Sequence, residues 1–142
     1  MLERSASDGI LTLRLARGRA NALDMDLLEA LHAELDALTH SPPAAAGSAE
    51  HGLAGKRPTG DAPTADRLAA VVLTGTGTIF SAGVDLLRLS AGGAEYIGRF
   101  FPLLSDVLYK LFTLEVPVIA ALNGHAVAGG CLLAFACDYR LM

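Results

Sequence analysis

Two uncharged apolar runs constrain this chain more than any other feature. Residues 68–73 (Leu-Ala-Ala-Val-Val-Leu) and 117–122 (Pro-Val-Ile-Ala-Ala-Leu) are too short for core helices and contain β-branched residues. Both read as buried strands, the second with its proline at the start, where a missing N–H is tolerated. Each leads into a glycine-bearing turn followed by a helical pattern. The first turn is Phe80-Ser81-Ala82-Gly83-Val84-Asp85-Leu86, and the second is Asn123-Gly124-His125-Ala126-Val127-Ala128-Gly129-Gly130-Cys131. Upstream, residues 9–15 alternate, with Leu11, Leu13 and Leu15 on one face and Thr12 and Arg14 on the other, as in a half-buried strand. Strands alternating with helices imply an α/β fold.

The helices have their own signals. Asp26 followed by Glu29 resembles a capping box, and Leu27, Leu28, Leu31, Leu35 and Leu38 form one stripe at helical spacing. His32 falls off that stripe and is expected to face solvent. Residues 84–89 predict a helical turn, Gly92-Gly93 a loop, and 96–114 a helix that Pro102 starts or kinks. Gly129-Gly130 opens an apolar helix through about Cys137, and residues 138–142 read as a helix end entering a new strand. A strand in that position leads us to expect further structure after it.

Composition excludes several classes. At 142 residues, with 52% hydrophobic and 18% charged residues, the chain fits one domain and is too apolar for disorder. Eleven Lys and Arg against fifteen Asp and Glu, a net charge of −4, argue against nucleic-acid binding. Cys131 and Cys137 cannot build a disulfide framework or a zinc site unaided. The N-terminus carries acidic residues and no apolar core, unlike a signal peptide. Residues 116–137 contain no formal charge and are long enough to span a bilayer, yet Pro117, Asn123, Gly124, Gly129 and Gly130 interrupt them. Such breaks leave backbone groups unpaired in lipid, so two short buried elements are expected instead, in a cytoplasmic protein with no membrane partner. Between residues 40 and 66 no apolar period survives, and the Pro, Gly, Ser and Ala there predict a flexible insertion with solvated His40, His51 and Lys56.

The glycine turns are where chemistry is expected. The first N–H groups of a helix lack internal partners and carry partial positive charge, and glycine lets a ligand approach closely. Two facing turns can aim two N–H groups at one oxygen, an oxyanion hole in which each donor is worth about 10²–10³ in rate. From the pattern alone, glycine before a helix is more often ordinary capping. Other motifs fail. Gly130-Cys131 stands where a phosphate loop needs Lys and Ser or Thr, and Ile79 takes the first glycine position of a nucleophile elbow. His125 has no evident carboxylate partner, and the apolar neighbours of Cys131 favour inert packing over reactivity.

At these turns the sequence resembles the crotonase, or enoyl-CoA hydratase/isomerase, superfamily. The resemblance covers nearly the whole chain outside 40–66. Asn21-Ala22-Leu23 is similar to the segment where substrate enters, residues 69–74 with 80–86 to the first oxyanion strand and loop, and residues 117–124 with 128–131 to the second. It implies a crotonase-like spiral of ββα units, trimers or dimers of trimers, and an acyl-CoA thioester as substrate. No other cofactor or metal is implied. It assigns the oxyanion donors to the backbone N–H groups of Val84 and Gly129. Ala20, Ala22, Ala82, Asp85 and Leu86 are implied to border the coenzyme A path, largely through backbone atoms. Fatty-acid breakdown is the pathway such a resemblance suggests.

One departure bears on the reaction. In hydratases of this superfamily a glutamate directly follows the cysteine of the second turn and helps handle water; here Leu132 stands there. Leucine neither accepts nor donates a proton. The second turn is instead similar to the Δ3,Δ2-enoyl-CoA isomerase branch, whose single glutamate moves a proton from C2 to C4 and is expected beyond Met142. Two readings follow: the N-terminal part of such an isomerase, or a non-catalytic module that binds coenzyme A or oligomerises.

Overall fold

The computed structural model describes residues 1–39 and 68–142. The expected insertion at 40–66, with His40, His51 and Lys56, lies outside the described residues. The elements run β1 (Leu2–Ser7), β2 (Ile10–Leu15), α1 (Met25–Thr39), β3 (Ala70–Gly75), β4 (Ile79–Ser81), α2 (Leu86–Thr113), β5 (Val118–Ala121), β6 (His125–Ala126), α3 (Gly129–Ala136) and β7 (Tyr139–Leu141). This order is ββα repeated, then a strand. The main sheet is ordered β1-β2-β3-β5-β7, with β1 antiparallel to β2 and every other neighbour pair parallel. A second, two-stranded sheet pairs β4 with β6.

Register explains the core. Leu11, Val71 and Val118 lie side by side across three strands, as do Leu13, Leu73 and Ala120, and all six are buried. Because side chains alternate, these rows share one face. Leu27, Leu28, Leu31 and Leu35 of α1 and Phe100, Leu104, Val107 and Leu111 of α2 complete the same cluster. The strands at 70–75 and 118–121 are less enclosed than the sequence suggests: Val72 and Ile119, pointing the other way, are half-buried among the described residues.

Several local expectations need correction. The cap of α1 is Asp24, not Asp26: Asp24 Oδ1 accepts the Leu27 N–H at 3.0 Å, and Tyr96 Oη accepts the Met25 N–H at 3.0 Å. Asp26 pairs instead with Arg17 and Arg88. His32 does not face open solvent; its Nε2 lies 2.5 Å from Asp106 and 2.8 Å from Lys110 on α2. In α2 the expected break at Gly92-Gly93 is present, at Gly93, whose φ of 63° and ψ of −161° no helix contains, whereas Pro102 lies inside the second helical segment and neither starts nor kinks it. Strand β1 carries no apolar alternation and exists by pairing with β2 along Leu2–Ser7. The uncharged stretch 116–137 divides into β5, β6 and α3, and no described helix is long and apolar enough to cross a membrane.

Cys137, 3% exposed at the end of α3, donates its Sγ–H to the Leu133 carbonyl at 3.2 Å. Burial, then the charge of Asp138, pushes this thiol from an ordinary 9.0 up to about 12. Above pH 9 the unfolded chain releases a proton that the folded chain keeps, so stability falls as pH rises through that window. Denaturant unfolding between pH 8 and pH 11 should show this decline, shallower by about one proton's slope in Cys137→Ala. Identical slopes in both proteins would contradict it.

Candidate functional site

The loops of interest lie beyond the carboxyl ends of β2, β3 and β5, where parallel sheets place their ligands. Their common post is the turn between β3 and β4. Asn21, fully buried and with a φ of 49°, ties its own loop to this post through its side-chain amide. Its Nδ2 donates to the Thr76 and Ile79 carbonyls at 3.1 and 2.8 Å, and its Oδ1 accepts from Arg17 N and Thr76 Oγ1, both at 3.0 Å. From the opposite loop, Asn123 accepts the Gly75 N–H at 2.9 Å and donates to the Gly77 carbonyl at 2.9 Å. Two asparagines about a hundred residues apart thus grip one turn.

The first glycine turn is aligned by Leu23. The Leu23 N–H donates to the Gly83 carbonyl at 2.7 Å, and the Asp85 N–H donates to the Leu23 carbonyl at 2.9 Å. Amides of extended backbone alternate in direction, so the Val84 N–H between them points away from Leu23. Asp85 then caps α2, its Oδ1 accepting the Arg88 N–H at 3.1 Å.

The second turn is tighter. Ala128 has φ 46° and ψ −116°, and the Gly130 N–H donates to the Val127 carbonyl at 2.8 Å. This is the first central position of a II′ turn, normally given to glycine. An alanine there costs about 1–3 kcal/mol of strain, which the surroundings must hold in place. The strain turns the Ala128–Gly129 peptide so that Gly129 opens α3.

The two turns touch. A Cβ on Gly83, at φ 84°, would lie 2.6 Å from the Val127 carbonyl oxygen and 2.8 Å from the Gly129 nitrogen. A Cβ on Gly129 would lie 3.3 Å from Val84 Cγ2. Among the described residues, neither the Val84 nor the Gly129 N–H has a hydrogen-bond acceptor. Val84 is half-buried and Gly129 buried. Ala20 and Ala22 are half-buried beside them, and the Ala20 carbonyl accepts the Ala82 N–H at 2.9 Å. Ala82 is exposed, Leu86 is 71% exposed and Leu132 on the first turn of α3 is 50% exposed.

Sequence reading missed the charged lock behind the first turn. Asp24, 1% exposed, accepts from Arg17 Nε at 2.7 Å and lies 3.2 Å from Arg88 Nη1, while Arg17 also reaches Asp26 at 2.9 Å. Hydrogen bonding to Asp24 raises the Arg17 pKa against a smaller opposing effect of desolvation. This lock ties the loop after β2 to the starts of α1 and α2. His125 sits exposed in β6 opposite Ile79, and Cys131 is a half-buried free thiol. No group of His, Cys, Asp and Glu able to hold a metal occurs among the described residues.

Comparison with known proteins gives a consistent result. The sequence pattern described as Enoyl-CoA hydratase/isomerase matches residues 61–142. The mitochondrial enoyl-CoA delta isomerase 1 of Mus musculus is 39% identical over 64 residues, 45% of this chain and 22% of that protein. The 4-chlorobenzoyl coenzyme A dehalogenase-1 of an Arthrobacter species is 43% identical over 77 residues, 51% of this chain and 28% of that protein. The crystal structure of an enoyl-CoA hydratase from Bacillus anthracis superposes with a TM-score of 0.76 at 27% identity, over 98% of this chain and 46% of that one. In each of the three, the match spans less than half of the relative's length.

The contact between the turns sets two opposite expectations for stability. Gly83→Ala should lose about 2 kcal/mol or more, since the new Cβ meets backbone and not a movable side chain. Ala128→Gly should gain about 1 kcal/mol, the strain relieved less the entropy glycine adds to the unfolded chain. Denaturant unfolding of both variants checks the pair, and a neutral Gly83→Ala would mean the turns do not abut.

Proposed function

Since this chain belongs to the enoyl-CoA hydratase/isomerase family, we propose that it binds an acyl-CoA thioester with the carbonyl oxygen between the N–H groups of Val84 and Gly129. The observation that carries this reading is the pair of abutting turns whose two amides have no acceptor among the described residues. Removing the proton α to the thioester moves charge onto that oxygen. Two fixed donors then favour the enolate over the bound ground state. Ala20, Ala22, Ala82, Asp85 and Leu86 border the coenzyme A path. The three alanines are small, Leu86 points outward and the Asp85 carboxylate is turned back to cap α2, which suits recognition by backbone. No resident metal or cofactor enters the reaction; coenzyme A arrives as part of the substrate.

The favoured reaction is a double-bond shift, a proton moving from C2 to C4. Leu132 supports it, because the hydratase position on the first turn of α3 holds no acid or base. The carboxylates beside the turns are already engaged, Asp24 by Arg17 and Asp85 by the Arg88 N–H. This reading therefore gives neither of these two carboxylates the part of the base, and assigns the described residues the binding step and the oxyanion donors. Hydration is the second reading, favoured by the likeness to the Bacillus anthracis hydratase. Exposed Phe101, Phe112 and Phe135 on α2 and α3 support cover by further protein surface, consistent with trimers or dimers of trimers in the cytoplasm.

Calorimetry on the 142-residue protein should show a 3-enoyl-CoA bound about tenfold or more tightly than its thioether analogue, which lacks the carbonyl oxygen. Equal affinities would sink the oxyanion assignment. No isomerisation is expected from this chain alone, and measurable turnover would show that it holds its own base. In a form that also carries the base, isomerisation should run well above hydration, and efficient hydration of crotonyl-CoA there would refute the inference from Leu132.

A further inference from the structure

We infer that Ser81 is the positioning residue of this site: its hydroxyl and its carbonyl together hold the Val84 and Gly129 amides in register. The inference rests on the acyl-CoA reading above. Ser81 is fully buried at the end of β4. Its Oγ–H donates to the Asn21 carbonyl at 2.8 Å, and the same oxygen accepts the Gly83 N–H at 3.1 Å. Its backbone carbonyl accepts the Val127 N–H at 2.9 Å. Gly130 packs so closely on it that a Cβ there would collide with the Ser81 carbonyl oxygen and Cβ. One residue therefore touches the loop after β2, the first glycine turn and the second.

The direction of each bond matters. A hydroxyl has one proton, and here it goes to Asn21; what faces Gly83 is a lone pair. Gly83, at φ 84°, has little torsional preference of its own. The aim of the next amide, that of Val84, is therefore set by what grips Gly83 at its two ends. The Gly83 carbonyl is held by Leu23 N and its N–H by Ser81 Oγ. Removing the hydroxyl frees the Ala82–Gly83 peptide while the two Leu23 bonds flanking Val84 persist, so the Gly83–Val84 peptide tilts about those bonds and the Val84 N–H loses its aim. On the second turn, Ser81 acts through its carbonyl, which no side-chain change removes. Substitution at Ser81 should thus misalign one donor and spare the other.

The test uses the 142-residue protein and crotonyl-CoA labelled with ¹³C at the thioester carbonyl, with infrared difference spectroscopy reporting the C=O stretch and calorimetry reporting affinity. Wild type should lower the stretch on binding. Ser81→Ala should bind within about threefold of wild type but lose about half or more of the shift, as one of two donors goes out of line. Ser81→Cys, whose thiol makes longer and weaker hydrogen bonds, should fall between. Thermal unfolding is measured alongside, because a purely structural serine would lower the melting temperature and leave the bound carbonyl shift unchanged. A full shift in folded Ser81→Ala overturns the inference. If that variant fails to fold, a full shift in Ser81→Cys overturns it and a reduced one supports it. Wild type that binds with no shift overturns the acyl-CoA geometry itself, and this inference with it, a result distinct from a wild-type shift that survives both substitutions.

Discussion

Gly83 has no side chain, and that lets the backbones of two strand-to-helix turns come into contact. A Cβ at Gly83 would run into the Val127 carbonyl and the Gly129 amide, so any other residue would push the turns apart. Much of the surrounding structure serves to keep that contact. The parallel strands β3 and β5 set the spacing of the loops, and the small sheet of β4 and β6 joins the two turns directly. Ala128 accepts a strained backbone to present Gly129 at the start of α3.

Polar groups hold this region, unlike the leucine-rich core below it. Asn21 and Asn123 satisfy the β3–β4 turn, and Ser81 bridges the loops on either side. No buried side-chain nitrogen or oxygen among the described residues lacks a partner. Each such bond adds only about 1 kcal/mol net, but leaving one unmade costs about 1–3 kcal/mol. The asymmetry makes the arrangement specific more than strong. Asp24 between Arg17 and Arg88 works in the same way: a buried carboxylate with two guanidinium partners fixes which helix starts meet, whatever its net worth in stability.

Architecture and chemistry separate here. The crotonase fold supports reactions as different as those named by the three relatives, an isomerase, a dehalogenase and a hydratase. What the backbone offers, two amides on abutting turns without an acceptor among the described residues, suits charge on an oxygen and does not by itself choose a reaction. That choice belongs to side chains.

Local patterns in the sequence were enough for the elements that bury apolar surface. The alternation of Leu11, Leu13 and Leu15, the stripe from Leu27 to Leu35 and the runs leading into the two glycine turns all reappear in the structure, because periodicity alone decides which face is apolar. The glycine turns were legible as turns before helices, but that they abut was not, since the same pattern also marks ordinary capping. The polar partners were not. Ser81 and Asn21 lie sixty residues apart, Asp24 replaced Asp26 as the cap of α1, His32 found Asp106 on another helix, and β1 formed without any apolar signature. A hydrogen bond depends on distance and direction, which no spacing along the chain encodes. Only the folded sheet, by bringing three loops to one end, decided which buried oxygen meets which amide.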